Sequence, residues 1–321
     1  MHLRPCSADL RPGILRSLSV IAAAVLTLGG CSTGGVRVLA DTTPSPLPCR
    51  PDAGPILRSD PAVRSAGTPP LTELRYRPNA PATLHAAVSQ TIVRTVTSAG
   101  GPATARVTAR VPYTVRFSAI CGSHFTTETV YGQPRVLAGG ADIADTDAVR
   151  SRLGRLDGLV VRESRDTRGR LVASSRSAPA GVDQTTQQSL DDLLGQLAQS
   201  AVVFPEQPLG VGARWTIERG QTVSGFALDS TARYTVRART LGEVSLDVAL
   251  DVTARPQVNS TQGHRVSLLS YRGTGSGSLR INLGTALPSS GSITLTVDQK
   301  LDTDGTRADN QVTQVVRLSG P

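Results

Sequence analysis

From Trp215 to Leu318 apolar and polar residues alternate with a period of two. The pattern runs through Trp215–Gln221, Gly225–Arg239, Glu243–Ala254, His264–Leu283, Ser292–Asp302 and Gln311–Leu318. That period belongs to a strand with one covered face, and the Pro, Gly and Asn clusters between the stretches mark turns. The same alternation occurs earlier, at Leu84, Ala86, Val88, Gln90, Ile92, Arg94 and Val96, over Ala105 to Ile120, and over His124 to Tyr131. Two further strands, Gly158 to Arg165 and Arg170 to Ser177, flank Asp166-Thr167-Arg168-Gly169, a short turn whose glycine suits positive φ. So many short-connected strands restrict the chain to a large curved antiparallel sheet or an open barrel.

Two segments break the alternation. Asp145 to Leu156 carries Val149, Leu153 and Leu156 at helical spacing behind an Asp/Thr cap, which predicts a short helix over 145–156. Leu190, Leu193, Leu194, Leu197 and Ala201 form one stripe, with Asp191, Asp192, Gln196 and Gln199 on the other face. Thr185 and Gln188 have the form of a capping box, so a second helix is expected over 185–200. The expected class is therefore mainly β within α+β, with a leucine-striped helix lying against the sheet's inner face.

Residues Phe204 to Trp215 read FPEQPLGVGARW. Two prolines and two glycines make a structured turn; the Lys-Ser/Thr of a phosphate loop and the spacing of a dinucleotide fold are both missing. The stretch resembles a widespread uncharacterised domain of secreted bacterial proteins, marked by Pro-x-x-Pro-Val-Gly-x-Gly-x-x-Trp between a helix and a strand series, with Leu209 in place of the valine. That resemblance implies architecture and carries no activity; the turn itself is expected to seat Trp215, the only tryptophan, in the core. In outline the chain also looks like LolA-type carriers and LprG/LppX-type actinobacterial lipoproteins, which bind lipid in a hollow between sheet and helix. On that likeness Leu190, Leu193, Leu194, Leu197 and Trp215 would line an acyl-chain groove.

The N-terminus is an address. Arg4, Arg11 and Arg16 precede the uncharged run Ser17–Leu28, and Leu28-Gly29-Gly30-Cys31 follows. A positive segment, an apolar segment and small residues before a cut make a secretory signal. The run of twelve residues falls short of the about 20 needed to span a bilayer. A cut after Val38-Leu39-Ala40 would lie far from the apolar run. The residues resemble the bacterial lipoprotein signal, which implies cleavage after residue 30, a diacylglycerol thioether on Cys31, and a place on the extracytoplasmic face of the cell membrane. Cysteine suits that chemistry because its thiolate is selectively alkylated near neutral pH. Residues 31–70, rich in Pro, Thr, Ser and Gly, bury too little apolar surface to order themselves and read as a tether, leaving 71–321 as a single domain.

Cys6 leaves with the signal and Cys31 takes the lipid, so Cys49 and Cys121 remain as one pair in an oxidising compartment. Closing that loop stabilises the fold by roughly 4 kcal/mol in the chain-entropy model. The alternative is a catalytic thiol, with His124 close to Cys121 in Cys121-Gly122-Ser123-His124.

The formal charge is +9, and removal of three Arg and one Asp with the signal leaves +7, carried almost wholly by arginine since Lys300 is the sole lysine. Nucleic acid is not the expected partner, because strand binders interleave cations with stacking aromatics and aromatics are 3% here. Anionic lipid headgroups or acidic wall polymers suit an envelope protein better.

Chemistry is sparse. His85, His124 and His264 show no metal-ligand spacing, so each reads as a surface or strand residue and no metal or other cofactor is expected. Gly273-Thr274-Gly275-Ser276-Gly277 lacks the glycine two before the serine that a nucleophile elbow needs. In Asp302-Thr303-Asp304-Gly305, Lys300 takes the place of a calcium loop's first acid, so Asp304-Gly305 reads as a hairpin tip. The expectation is a non-enzymatic envelope lipoprotein holding a lipid or glycolipid in a hollow. A structural or interaction lipoprotein with a filled core is the alternative, and a cell-wall enzyme the third.

Overall fold

The computed structural model describes residues 60–78, 83–98, 101–139, 153–154, 156–177, 202–223, 225–261 and 264–320. Among them the strands are β1 (Ala62–Ser65), β2 (Thr68–Thr72), β3 (Thr83–Ser98), β4 (Gly101–Cys121), β5 (His124–Tyr131), β6 (Arg135–Gly139), β7 (Val160–Asp166) and β8 (Leu171–Ser177). They continue with β9 (Leu209–Val211), β10 (Arg214–Val223), β11 (Phe226–Arg239), β12 (Glu243–Ala254), β13 (Gln257–Thr261), β14 (His264–Asn282), β15 (Leu287–Thr303) and β16 (Thr306–Ser319). Fourteen strands make one sheet in the order β1-β10-β11-β12-β14-β15-β16-β3-β4-β5-β7-β8, with β13 on β14 and β6 on β4. β2 and β9 pair separately. Every pairing is antiparallel.

Alternation decides which face turns inward. On β15, Ile293, Leu295, Val297 and Leu301 are buried while Thr294, Asp298 and Lys300 are exposed. The sheet curls about the inward set, since Val96 of β3 and Val223 of β10 share one core cluster although six steps of the sheet separate their strands. Three glycines on the inner face of β14 allow the tight bend. Gly273, Gly275 and Gly277 face Val297, Leu295 and Ile293 of β15. A Cβ at Gly275 would lie 2.7 Å from the Thr294 carbonyl oxygen, and one at Gly277 would lie 2.1 Å from that of Ser292. Glycine inside a strand marks such a close backbone approach.

The interior has two main parts. One gathers Leu74, Tyr76, Phe117, Phe125, Phe204, Trp215, Tyr234 and their aliphatic neighbours; the other, mostly aliphatic, gathers Val223, Phe226, Val266, Leu268, Leu295, Val297 and Leu301. Burying a side chain of this size contributes about 1.5–3 kcal/mol. A smaller cluster places Leu153, Leu156 and Leu159 against Val111, Tyr131 and Val161.

The margins of the curl meet at one corner. Asp60, just before β1, lies 3.3 Å from Arg170 and 3.9 Å from Arg168 in the β7–β8 turn. That turn is also sewn to the segment before β9, where the Phe204 N–H donates to the Arg168 carbonyl at 2.9 Å, and to Tyr76, whose N–H donates to the Thr167 carbonyl at 2.7 Å.

Several expectations change. The described residues form an all-β structure, so the α+β class does not hold for them; Leu153 and Gly154 alone are helical, and Leu156 to Gly158 form a turn. Most of the helix expected over 145–156 lies outside the described residues; Leu153 and Leu156, which are described, pack against Val111, Tyr131 and Val161. The helix expected over 185–200 lies outside the described residues. Ala62–Ser65 and Thr68–Thr72, expected to lie outside the domain, are strands, so the body reaches upstream of residue 71. Proline is no obstacle in β2, where one partner strand of three residues leaves other N–H positions unused. The strands expected from Gly158 to Ser177 and from Trp215 to Leu318 are all present.

Candidate functional site

Trp215 is fully buried, its ring 5.1 Å from Tyr234 in a stacked pair and 6.3 Å from Phe204. The glycines before it let two backbones touch. A Cβ at Gly210 would sit 1.9 Å from the Thr68 carbonyl oxygen, and Gly212 has φ +80°. The Gly210 N–H donates to Ala66 at 2.8 Å and the Gly212 N–H to Val236 at 2.8 Å, so this stretch fastens the small sheet to β11. Tyr76 joins the same layer: its hydroxyl donates to the Val202 carbonyl at 3.0 Å, and burial pushes its pKa well above the usual phenol value. Trp215 is thus a structural anchor. Leu190, Leu193, Leu194 and Leu197, expected to line a groove with it, lie outside the described residues.

The interior contains buried polar atoms without partners: the Trp215 indole N–H and amide atoms of Gln90, Gln299, Asn310 and Gln314. Gln299 and Asn310 face each other across β15 and β16, while Gln90 and Gln314 lie further along the sheet and Trp215 belongs to the other cluster. Ligand pockets need polar groups that converge. The amides instead run along three adjacent strands, with the Asn310 side-chain carbonyl oxygen held by Arg94 at 3.4 Å, and Trp215 stands apart from them.

Register sets Cys121 opposite His124, and His124 opposite Asp166. Asp166 does not serve as a partner for the imidazole. Its carboxylate accepts the N–H groups of Arg168 at 3.0 Å and Arg170 at 2.9 Å and the Arg170 Nε–H at 2.6 Å, which fixes the β7–β8 turn. His124 is buried, and its Nδ1 makes no hydrogen bond. A nucleophile needs a base that a third group orients, and the acid of this row is committed elsewhere. His85 and His264 are exposed on strands; His264 Nδ1 lies 2.7 Å from Asp304 at the β15–β16 tip, the turn expected there. Cys31 and Cys49 lie outside the described residues.

Two surface features were not anticipated. One is an outward groove of about 420 Å³ across β14, β15, β16 and β3, lined by Thr95, Thr97, Ser270, Asp298, Lys300 and Asp309 among others. Its charges are largely matched, Lys300 lying 3.5 Å from Asp309 and Gln311 donating to Asp298 at 2.9 Å. The other is a row of cations. Arg317 of β16 faces Ser89 of β3, Ser89 faces Arg110 of β4, and Arg110 faces Arg135 of β6. Arg106 projects from the same face of β4, and all four guanidinium side chains are exposed. The sequence held a signal for this face, since no Asp or Glu occurs between Glu73 and Glu128.

No protein-family model matches the chain, and no curated protein matches it. Among solved structures it is similar to Pseudomonas aeruginosa OccK2 (OpdF), at 10% identity over 74% of this chain and 98% of that one, with a TM-score of 0.22. It is also similar to the beta domain of the Bordetella autotransporter Brka, at 9% identity over 74% of this chain and 99% of the other, with a TM-score of 0.16. At these scores neither likeness bears on fold or function. The chemistry of the faces argues independently. A barrel in lipid is apolar outside, whereas here Arg233, Arg237, Asp247, Asp251, Arg272 and Asp298 point outward.

Proposed function

We propose that the protein is a non-enzymatic envelope lipoprotein, anchored through Cys31 on the extracytoplasmic face of the cell membrane, whose curled sheet acts through its outer surface. The observation that supports this reading is the burial of the core among the described residues. Trp215, Phe204, Leu209, Ile217, Leu246, Leu268 and Leu301 are almost entirely buried against one another's strands, at 1% exposure or less. Side chains packed in this way fill one another's space, which favours a module acting through its surface. The corner at Asp60 also supports the Cys49–Cys121 disulfide. Eleven positions separate Cys49 from Asp60, a reach of up to about 35 Å, and Asp60 is bound to the turn that follows Asp166 in the Cys121 row.

Two measurements test the reading. Globomycin should accumulate uncleaved precursor, and Cys31→Ala should move the protein out of the membrane fraction; a wild-type protein that is soluble and begins at Asp41 would end the anchor. The mature protein should carry no stoichiometric lipid beyond its own acyl groups by native mass spectrometry. Co-purifying lipid that Leu193→Arg and Leu197→Arg remove would restore the carrier in place of the filled module.

A further inference from the structure

We propose that the arginine face of β16, β3, β4 and β6 docks the body onto the anionic membrane surface to which Cys31 tethers it. The anchoring part rests on the function proposed above; the docking part rests on the face itself. Arg110 and Arg135 are register partners, so two like charges stand side chain to side chain across an antiparallel pair, an arrangement that costs stability. Among the described residues no carboxylate lies within ion-pair distance of Arg106, Arg110, Arg135 or Arg317. Elsewhere on the sheet, acids do stand beside cations: Arg233 with Asp251, Arg237 with Asp247, and Arg280 with Glu243 at 3.3 Å. Among the described residues the bare row is therefore a local property of one face, and an anionic surface supplies a counter-charge to it.

A second observation favours a membrane over a soluble polyanion. A bulge in β6 between Val136 and Ala138 leaves Leu137 57% exposed beside Arg135, the strand partner of Arg110. An apolar side chain among cations fits the headgroup boundary, where the arginines meet phosphate and the leucine meets acyl chain. The tether permits the contact. Twenty-nine peptide steps separate Cys31 from Asp60, about 30 Å as a coil and at most about 100 Å extended. Arg110 lies eleven residues along β4 from Cys121, about 35 Å from the corner where Asp60 is held, so the tether spans the distance.

The test uses the mature chain carrying Cys31→Ala, so that the acyl anchor makes no contribution, in vesicle sedimentation. Vesicles of phosphatidylcholine alone should pellet little protein, and vesicles containing phosphatidylglycerol should pellet most of it at low salt. Arg110→Glu with Arg135→Glu should weaken that binding by about 30-fold or more, at roughly fivefold per lost cation. Arg233→Glu with Arg237→Glu makes the same change in net charge on the paired region and should weaken binding less than about threefold. Leu137→Ser should lower binding while leaving its salt dependence unchanged. Equal losses in both double variants, or no preference for anionic vesicles, would overturn the proposal. Binding to polyglutamate but not to vesicles would also overturn it, assigning the face to an acidic polymer. The fractionation of Cys31→Ala in cells reads the anchor separately, so failure of one is not failure of the other.

Discussion

The outer surface of one sheet is built in two ways. Over β11, β12, β14, β15 and the start of β16 carboxylates stand beside cations of a neighbouring strand, as in Arg237 with Asp247, Arg280 with Glu243 and Lys300 with Asp309. Over β3, β4 and β6 there is no acid at all, and arginine faces arginine. Both regions share the inward alternation and the same ladders, so the difference is not required by the fold. Charge on the outer face of a strand is free to vary once the inner face is satisfied, and here it varies in blocks.

The largest expected effect removes the frame that both regions share. Gly277→Val places a side chain where a Cβ already lies 2.1 Å from the Ser292 carbonyl, so β14 and β15 must separate. Overpacking of this kind costs about 3 kcal/mol, which lowers Tm by about 10 °C in a body of this size. Thermal unfolding followed by circular dichroism measures it, and an unchanged Tm would show that the bend does not depend on the glycines.

A smaller effect of opposite sign separates the two regions. Arg110→Thr relieves the repulsion from Arg135 and should raise stability by about 0.2–1 kcal/mol at low ionic strength, with the gain fading as salt screens the pair. Arg237→Thr breaks an exposed ion pair and should lower stability by about 0.2–1 kcal/mol. Urea melts at two salt concentrations report both, and matching signs would erase the contrast.

The smallest effect lies at the β15–β16 tip. The hydrogen bond from His264, followed by the Arg265 N–H at 3.0 Å, holds the Asp304 carboxyl below the ordinary carboxylate value. Because the folded pKa is depressed, the contribution of this pair is present above the unfolded value near 4 and is lost as pH falls through the folded one. Carboxyl NMR titration should place the Asp304 midpoint below that of an ordinary aspartate, and His264→Ala should raise it.

Much of this could be read from the sequence because the information was local. The turn at Asp166 to Gly169 needed an acid to accept N–H groups and a glycine at φ +92°, and both are visible in four residues. Inward alternation on β15 was equally plain. What sequence could not supply was register between distant segments. Arg317 of the last strand and Arg110 of β4 are far apart in sequence and share one row, through Ser89, only because β3 pairs with β16. β13 was missed for a related reason: five residues on the flank of β14 are held by pairing with that strand, more than by a pattern of their own. The leucine stripe of 190–197 is periodic enough to propose a helix, yet periodicity alone does not say what such a helix covers.

The corner at Asp60 has a mechanical meaning. Its backbone leads directly into β1, while its carboxylate holds Arg170 at the head of β8, so one residue is tied to both free margins of the curl. Tension passed along the backbone into Asp60 loads both margins at once. With only three residues of β1 in register on β10, the seam is where a pull would first be felt and first give way.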